Sequence, residues 1–325
     1  MPDNKRQHFV PQNYLREFSP DGESIGVFLV EHEKCIKKAP INSQAQESYF
    51  YGKSLELEKQ LSELECLLAE NRRTIFSNQT NKLSLYQREV LYQDMMLQLS
   101  RTKQMADLYE EMATANARRM WKHSNNELIR QHADDFCVKY ENPVIGSMMV
   151  LLKNLTICFD LDFKVLINRT TIPFVTSDNP VCIYNQYFEA HGRLHSGLNC
   201  KGEQLYYPLS SAYAVIFYDH NIYKTKFRKR NYLDITDVSD VNNLNGLVSV
   251  SASKCVYYNP ALINEEHMLW TFNHVKGVKK TEYKEVEIPT GEKSSFIIAW
   301  NPFPAFRMSL SFLKFQDKAK AREWK

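Results

Sequence analysis

The sequence predicts an α+β fold, with a helical N-terminal half packed on a strand-rich, mixed C-terminal half. Residues 53–77 and 84–121 carry hydrophobic residues at helical spacing, whereas past Pro143 the apolar residues fall in short β-branched and aromatic runs separated by turn residues. Hydrophobic residues make up 43% of 325 positions against 10 Gly and 12 Pro, a balance that supports a buried core and excludes a disordered or fibrous chain.

Taken in order, HFVPQNYLREF opens the ordered part. Pro11 forces Val10 into an extended conformation and suits the first turn of a helix, so His8 sits on a strand-like lead-in and Tyr14, Leu15 and Phe18 form an apolar face. With Phe9, that face contributes several kcal/mol at ~25 cal/mol per Å² buried, so residues 8 to 18 are expected to be ordered and packed. SIGVFLVEH alternates like a short strand, and KCIKKAPINSQAQESYFY reads as a polar connection. A helix follows to about Ser77 on the stripe Leu57, Leu61, Leu64 and Leu68. Ser84 with Gln87 makes a capping box, and nothing from there to Trp121 interrupts a second helix. FKVLIN and IPFVT, joined by RTT, resemble a hairpin that ends in the turn TSDNP. LYYPLSSAYAVIFYD offers another strand, DVSDVNNLNGLVSVSAS a short amphipathic helix, and KCVYYNP and SSFIIAWNP further strands. The polar step Glu141–Asn142–Pro143 is the natural boundary between residues 1–142 and 143–325, halves expected to form one integrated domain.

The bulk charge decides little, since 41 Lys and Arg against 38 Asp and Glu leave +3. Seven dispersed cysteines with no CxxC pair suggest neither a disulfide framework nor a zinc knuckle. No apolar leader follows MPDNKRQ, and VIGSMMVLLKNLTICF is interrupted by Lys153 and Asn154, so a cytoplasmic protein with no membrane association is expected. GxGxxG, GxxxxGK[ST], HExxH and GxSxG are all missing, which removes the usual support for dinucleotide, P-loop, zincin and α/β-hydrolase chemistry.

Five residues stand out chemically. His8 is either a hydrogen-bonded packing histidine or a fixed acid, base or ligand. Glu58 and Glu65, seven apart, project from nearly one helix face beside Leu61, where a carboxylate needs a partner unless the face is solvated. Arg101 ends a polar row with Asp94 and Gln98, either an anion clamp or one side of an internal salt-bridge row. Asp178 lies at a strand end with Ser177 and Asn179, as a base, a ligand or an Asx-turn cap. Gln12, Ser210 and Asn245 are weaker candidates for binding a substrate.

HFVPQNYLREF, the LExxLSxLE helix, Arg101–Thr102, FVTSDNPV, YPLS and a late Asn-containing helix before VYYN, in that order, resemble a family found largely in bacteria whose hallmark is an HFVP motif, domain of unknown function 4238. The resemblance implies a shared site built from His8, Glu58, Glu65, Arg101 and Asp178; it attaches no motif to the tail beyond about Asn301. Such a set holds a proton carrier, acidic groups and an anion clamp. It suggests a hydrolase of phosphodiester or nucleotide-like substrates, a nuclease-type effector in toxin or phage-defence settings, with Mg²⁺ or Mn²⁺ as the candidate metal and nucleic acid or a nucleotide as partner. The alternative is a non-enzymatic module that binds protein or nucleic acid, in which the same residues form a structural polar network.

Overall fold

A computed structural model describes residues 6–53, 55–78, 82–190, 198–227, 229–278, 283–290, 293–300 and 306–317; of residues 283–290 and 293–300 it describes the backbone alone. Its centre is a mixed five-stranded sheet in the order β11 (Tyr232–Ile235), β5 (Asp162–Asn168), β9 (Tyr213–Tyr218), β8 (Gln204–Pro208), β7 (Cys182–Tyr184), with only the β11–β5 pair parallel. Strand side chains alternate between faces, and here both faces are apolar. Leu205, Tyr207, Val215 and Phe217 enter one core with α3 (Leu85–Ser100), while Tyr206, Ala214, Ile216 and Tyr218 enter another with α8 (Val238–Ser251). A helix on each face explains why β9 reads YAVIFY, apolar without interruption.

A second, antiparallel sheet runs β3 (Lys34–Pro40), β2 (Ser24–Leu29), β12 (Cys255–Tyr258), β6 (Thr176–Ser177). KCIKKAP is therefore not a connection. It is the edge strand of this sheet, mostly exposed, and its lysines belong there because charge on an edge blocks pairing with another chain. The opening motif forms β1 (Arg6–His8), paired with β4 (Gln46–Ser48), and the one-turn helix α1 (Gln12–Leu15). Val10, Tyr14, Leu15 and Phe18 are fully buried, and Phe9 packs beside them.

Outside the sheets, α2 (Leu55–Ser77), α4 (Lys103–Lys122) and α6 (Pro143–Lys153) lie against α3 around Leu61, Leu68, Val90, Leu97, Val144 and Met148. Short helices α5 (Glu127–Gln131) and α7 (Gln186–Ala190) and the helix α9 (Glu265–Val275) complete the α-helices among the described residues, which also hold short 3₁₀ turns. The expected second helix is two helices. Ser84 and Gln87 make both bonds of the capping box that starts α3, but the chain turns at Arg101 and restarts at α4 with Thr102 as its cap.

FKVLIN and IPFVT do not pair as a hairpin: the first is β5, between β9 and β11, and the second leads into β6, which pairs with β12 in the other sheet. The hairpin lies instead inside LYYPLSSAYAVIFYD, as β8 and β9 around a turn whose Ser210 hydroxyl accepts from the backbone N–H of Ala212 and Tyr213. SSFIIAWNP falls on β14 (Lys293–Trp300), paired with β13 (Tyr283–Thr290); its last two residues lie outside the described residues. The last pair is β10 (Tyr223–Thr225) with β15 (Leu313–Phe315). No helix among the described residues is long and apolar enough to cross a membrane.

Tyr14 joins the motif to both sheets. Its hydroxyl donates to Pro208 O at 2.6 Å and lies 2.7 Å from Thr176 Oγ1, with its ring stacked on Tyr207. Tyr14→Phe leaves Pro208 O and Thr176 without this buried partner, so a loss of about 1–3 kcal/mol is expected from urea unfolding. An unchanged midpoint would show that the bond adds nothing.

Candidate functional site

The strand end at His8 and the first turn of α1 face each other across the Phe9–Pro11 bend. His8 Nδ1 lies 3.0 Å from Gln44 O; a carbonyl only accepts, so this nitrogen carries the proton. His8 Nε2 is then an acceptor, and Gln12 Nε2 donates to it at 3.0 Å. Burial pushes the His8 pKa below its ordinary 6.5, opposed by the Gln44 carbonyl and Glu65 and assisted by Arg101 and Arg16. The imidazole is thus neutral at pH 7, half-buried, with a fixed tautomer.

Arg101 lies directly behind it. At the C-terminal end of α3 its Nε donates to Tyr51 Oη at 2.7 Å, Nη1 to Glu65 Oε1 at 2.5 Å and Nη2 to His8 O at 2.7 Å. Tyr51 Oη also donates to His8 O at 3.1 Å. Arg101 is only 2% exposed, so its fork holds the backbone of His8 and does not reach outward. Gln98 reinforces the same bend by donating to Phe9 O at 3.2 Å. Of the paired glutamates, Glu65 takes the direct bond to Arg101. Glu58 stays half-buried in the field of both, its carboxyl raised above 4.5 chiefly by burial and further by Glu65, with Arg101 opposing.

Asp178 does a different job. Its carboxylate accepts from the backbone N–H of Ser253, Lys254 and Cys255 at 2.9, 2.7 and 3.3 Å, tying the end of β6 to the loop between α8 and β12. Asn179 Nδ2 donates to Ser251 O and Ser253 Oγ in the same loop, and Ser177 Oγ donates to Asn179 O. Asn245 splints the approach to β6, accepting from Val175 N and donating to Pro173 O. Charged groups that act on His8 include Glu65, Arg101 and Arg16.

The structure therefore connects His8, Gln12, Glu65, Arg101 and Gln98 in one network bordered by Glu58, and gives Asp178, Ser177, Asn179, Ser210 and Asn245 partners in the backbone of other loops and turns. Among the described residues no group of three or more His, Cys, Asp or Glu is placed to hold a metal ion.

Three participants escaped the sequence reading. Tyr51, in the aromatic turn before α2, carries a hydroxyl pushed up to about 12 by burial and shared between Arg101 and His8 O. Asn13 donates to Glu65 O and accepts from Arg72, linking α1 to α2. Arg16, exposed, donates to Gln12 Oε1 at 3.3 Å. Its signal was present in the sequence: residues 8, 12 and 16 repeat every four positions, and Pro11 starts a helix between the first two.

No curated protein and no solved structure matches the chain. Residues 6–261 match the model of one family, and they contain all the motifs described above; the chain belongs to that family, described as Protein of unknown function (DUF4238).

Proposed function

We propose that the protein is a hydrolase acting on a phosphodiester or nucleotide-like substrate, with His8 as general base and Glu58 as general acid. The observation that supports it is the state of His8: a neutral imidazole whose Nδ1 proton is fixed on Gln44 O, leaving Nε2 as the basic atom at a half-exposed position. In this scheme Nε2 removes a proton from water as the water oxygen bonds to phosphorus. The bond from phosphorus to the leaving oxygen breaks, and the Glu58 carboxyl, raised by burial, protonates that oxygen. His8 then loses its proton to solvent and Glu58 regains one. Arg101, Glu65 and Tyr51 hold the base in place in this scheme and do not touch substrate.

Incubation of the purified protein with RNA, DNA and nucleotides, with and without Mg²⁺ or Mn²⁺, tests the proposal. His8→Ala is expected to lower any hydrolysis by about 10²–10⁴-fold, the usual contribution of one positioned acid or base. Hydrolysis that survives in His8→Ala overturns the assignment. The second reading, a binding module without catalysis, is favoured by the way Arg101 and Asp178 use their charge on the protein's own backbone; it gains if the wild-type protein binds these substrates and converts none.

A further inference from the structure

We infer that Gln12 is a displaceable latch on His8 and that Arg16 is the receptor for a phosphate-like oxyanion whose binding opens it. This deepens the proposed function and rests on its reading of His8 as the base.

The latch follows from which atoms donate. Arg16 has no acceptor, so the Gln12 atom that meets it at 3.3 Å is the amide oxygen. The Gln12 amide nitrogen therefore faces His8, and the ring nitrogen it meets at 3.0 Å must accept. This agrees with the opposite nitrogen, Nδ1, which gives its proton to Gln44 O at 3.0 Å. A single chain of bonds, Arg16 to Gln12 to His8 to Gln44, thus fixes the imidazole and at the same time covers the lone pair that a base needs. As described, the base is assembled but blocked.

The weak end of this chain lies in solvent. Arg16 is exposed and, among the described residues, is held by two contacts of 3.3 Å, to Gln12 Oε1 and Gly22 O, at the long limit for an N–H···O bond. Arg101 is buried, with bonds of 2.5–2.7 Å, and cannot leave its place. An oxyanion offers Arg16 charge-assisted bonds of ~2.7–2.9 Å, in the fork geometry that suits phosphate, and competes directly with both long contacts. Once Arg16 turns to the anion, the Gln12 oxygen keeps no partner among the described residues. The amide is then free to swing off Nε2, and water or a substrate hydroxyl takes its place. The ligand class is a group bearing an accessible tetrahedral oxyanion, such as the phosphate of a nucleotide or of a nucleic-acid strand.

Among the described residues the charged groups that act on His8 include Glu65 on α2, Arg101 at the end of α3 and Arg16 beyond α1, with Glu58 on α2 bordering the network and the Tyr51 hydroxyl on the His8 carbonyl. Losing Gln12's donor and gaining a nearby anion both favour the imidazolium, so occupancy at Arg16 should raise the His8 midpoint. The test is an NMR titration of the full chain with ¹⁵N-labelled imidazoles. Sodium sulfate serves as probe because it keeps its charge across the range, and sodium chloride at equal ionic strength controls for screening. In the wild type, burial is expected to hold the free His8 midpoint below the ordinary imidazole value. Sulfate is expected to raise it by about one pH unit, a tenfold gain in proton affinity. Arg16→Gln should abolish the sulfate response, and Gln12→Ala should raise the midpoint with no sulfate present. Equal sulfate shifts in wild type and Arg16→Gln overturn the inference, as does a Gln12→Ala midpoint that does not move. A hydrolysis assay on the same samples separates the two claims. A latch that responds in a protein without hydrolytic activity sustains the anion receptor and ends the catalytic reading; His8-dependent hydrolysis with a midpoint indifferent to Arg16 does the reverse.

Discussion

Replacing Arg101 by Met is expected to destabilise the protein by about 3–5 kcal/mol, the usual cost of removing one partner from a buried charge pair. Met keeps most of the length of the side chain, so the loss is electrostatic before it is steric. Glu65 loses the cation bonded at 2.5 Å, Tyr51 Oη loses a donor at 2.7 Å and His8 O loses one at 2.7 Å, all in a region where Arg101 itself is 2% exposed. Water replaces such partners poorly there, and a buried group left unpaired costs about 1–3 kcal/mol. Against a typical total of ~5–15 kcal/mol, the variant should unfold at a much lower urea concentration. Arg101→Lys should rescue only part, because one ammonium cannot reach three acceptors from the positions of a planar fork. A Lys variant as stable as the wild type would mean that charge alone matters, and a Met variant within about 1 kcal/mol of wild type would deny the network any structural weight.

How much of this was legible depends on whether the deciding interaction is local. The Ser84 capping box and the packing of Tyr14, Leu15 and Phe18 were readable because each is set within a few residues. The lysines of KCIKKAP disguised β3, since an edge strand exposes side chains that a central strand would bury. The break between α3 and α4 has no Gly or Pro to announce it. Only Thr102, whose hydroxyl accepts from Met105 N, marks the restart. The supposed hairpin failed because β5 and β6 choose partners in different sheets, β6 pairing with a strand some eighty positions away, and short apolar runs do not encode that choice.

The candidate site divides along the same line. The family motif brought His8, Glu65 and Arg101 to notice, and the structure joins them, but residue type says nothing about what a side chain faces. Asp94, Gln98 and Arg101 do form a row on α3, and each points to a different internal partner: Arg72, Phe9 O and the Glu65–Tyr51–His8 cluster. Asp178 shows the limit most clearly. An aspartate at a strand end before Asn-Pro suits a site or a cap equally well, and here its acceptors meet backbone N–H groups 75 to 77 residues downstream.

Removing Asp94 should be as damaging as removing Arg101, and here a double substitution reveals why. Arg72 Nη1 and Asp94 Oδ2 are 2.7 Å apart with side chains only 3% and 5% exposed. Tyr207 Oη donates to Asp94, and Asn13 Oδ1 accepts from Arg72. Arg72 Nε is buried with no hydrogen-bond partner among the described residues, so the pair is incompletely satisfied. Burial lifts the Asp94 carboxyl above its ordinary 3.8, although Arg72 and Tyr207 pull it down. The sign follows by linkage. A carboxyl whose pKa rises on folding holds its proton more tightly in the native state, so its contribution to stability falls as pH rises through that range. Taking both charges out of water is costly, and their attraction and hydrogen bonds have to offset that cost. Asp94→Ala alone should cost about 3–5 kcal/mol, because it strands the Arg72 charge in the core; Arg72→Met alone should do the same to Asp94. The double variant Arg72→Met/Asp94→Leu removes both charges, leaving Asn13 and Tyr207 each short of one partner at about 1 kcal/mol apiece. It should then be more stable than either single variant. Urea unfolding of the four proteins closes the cycle. If the double variant loses as much as the two single losses added together, the pair contributes nothing as a pair; if Asp94→Ala alone is within about 1 kcal/mol of wild type, Arg72 is being solvated or neutralised in a way this packing does not provide.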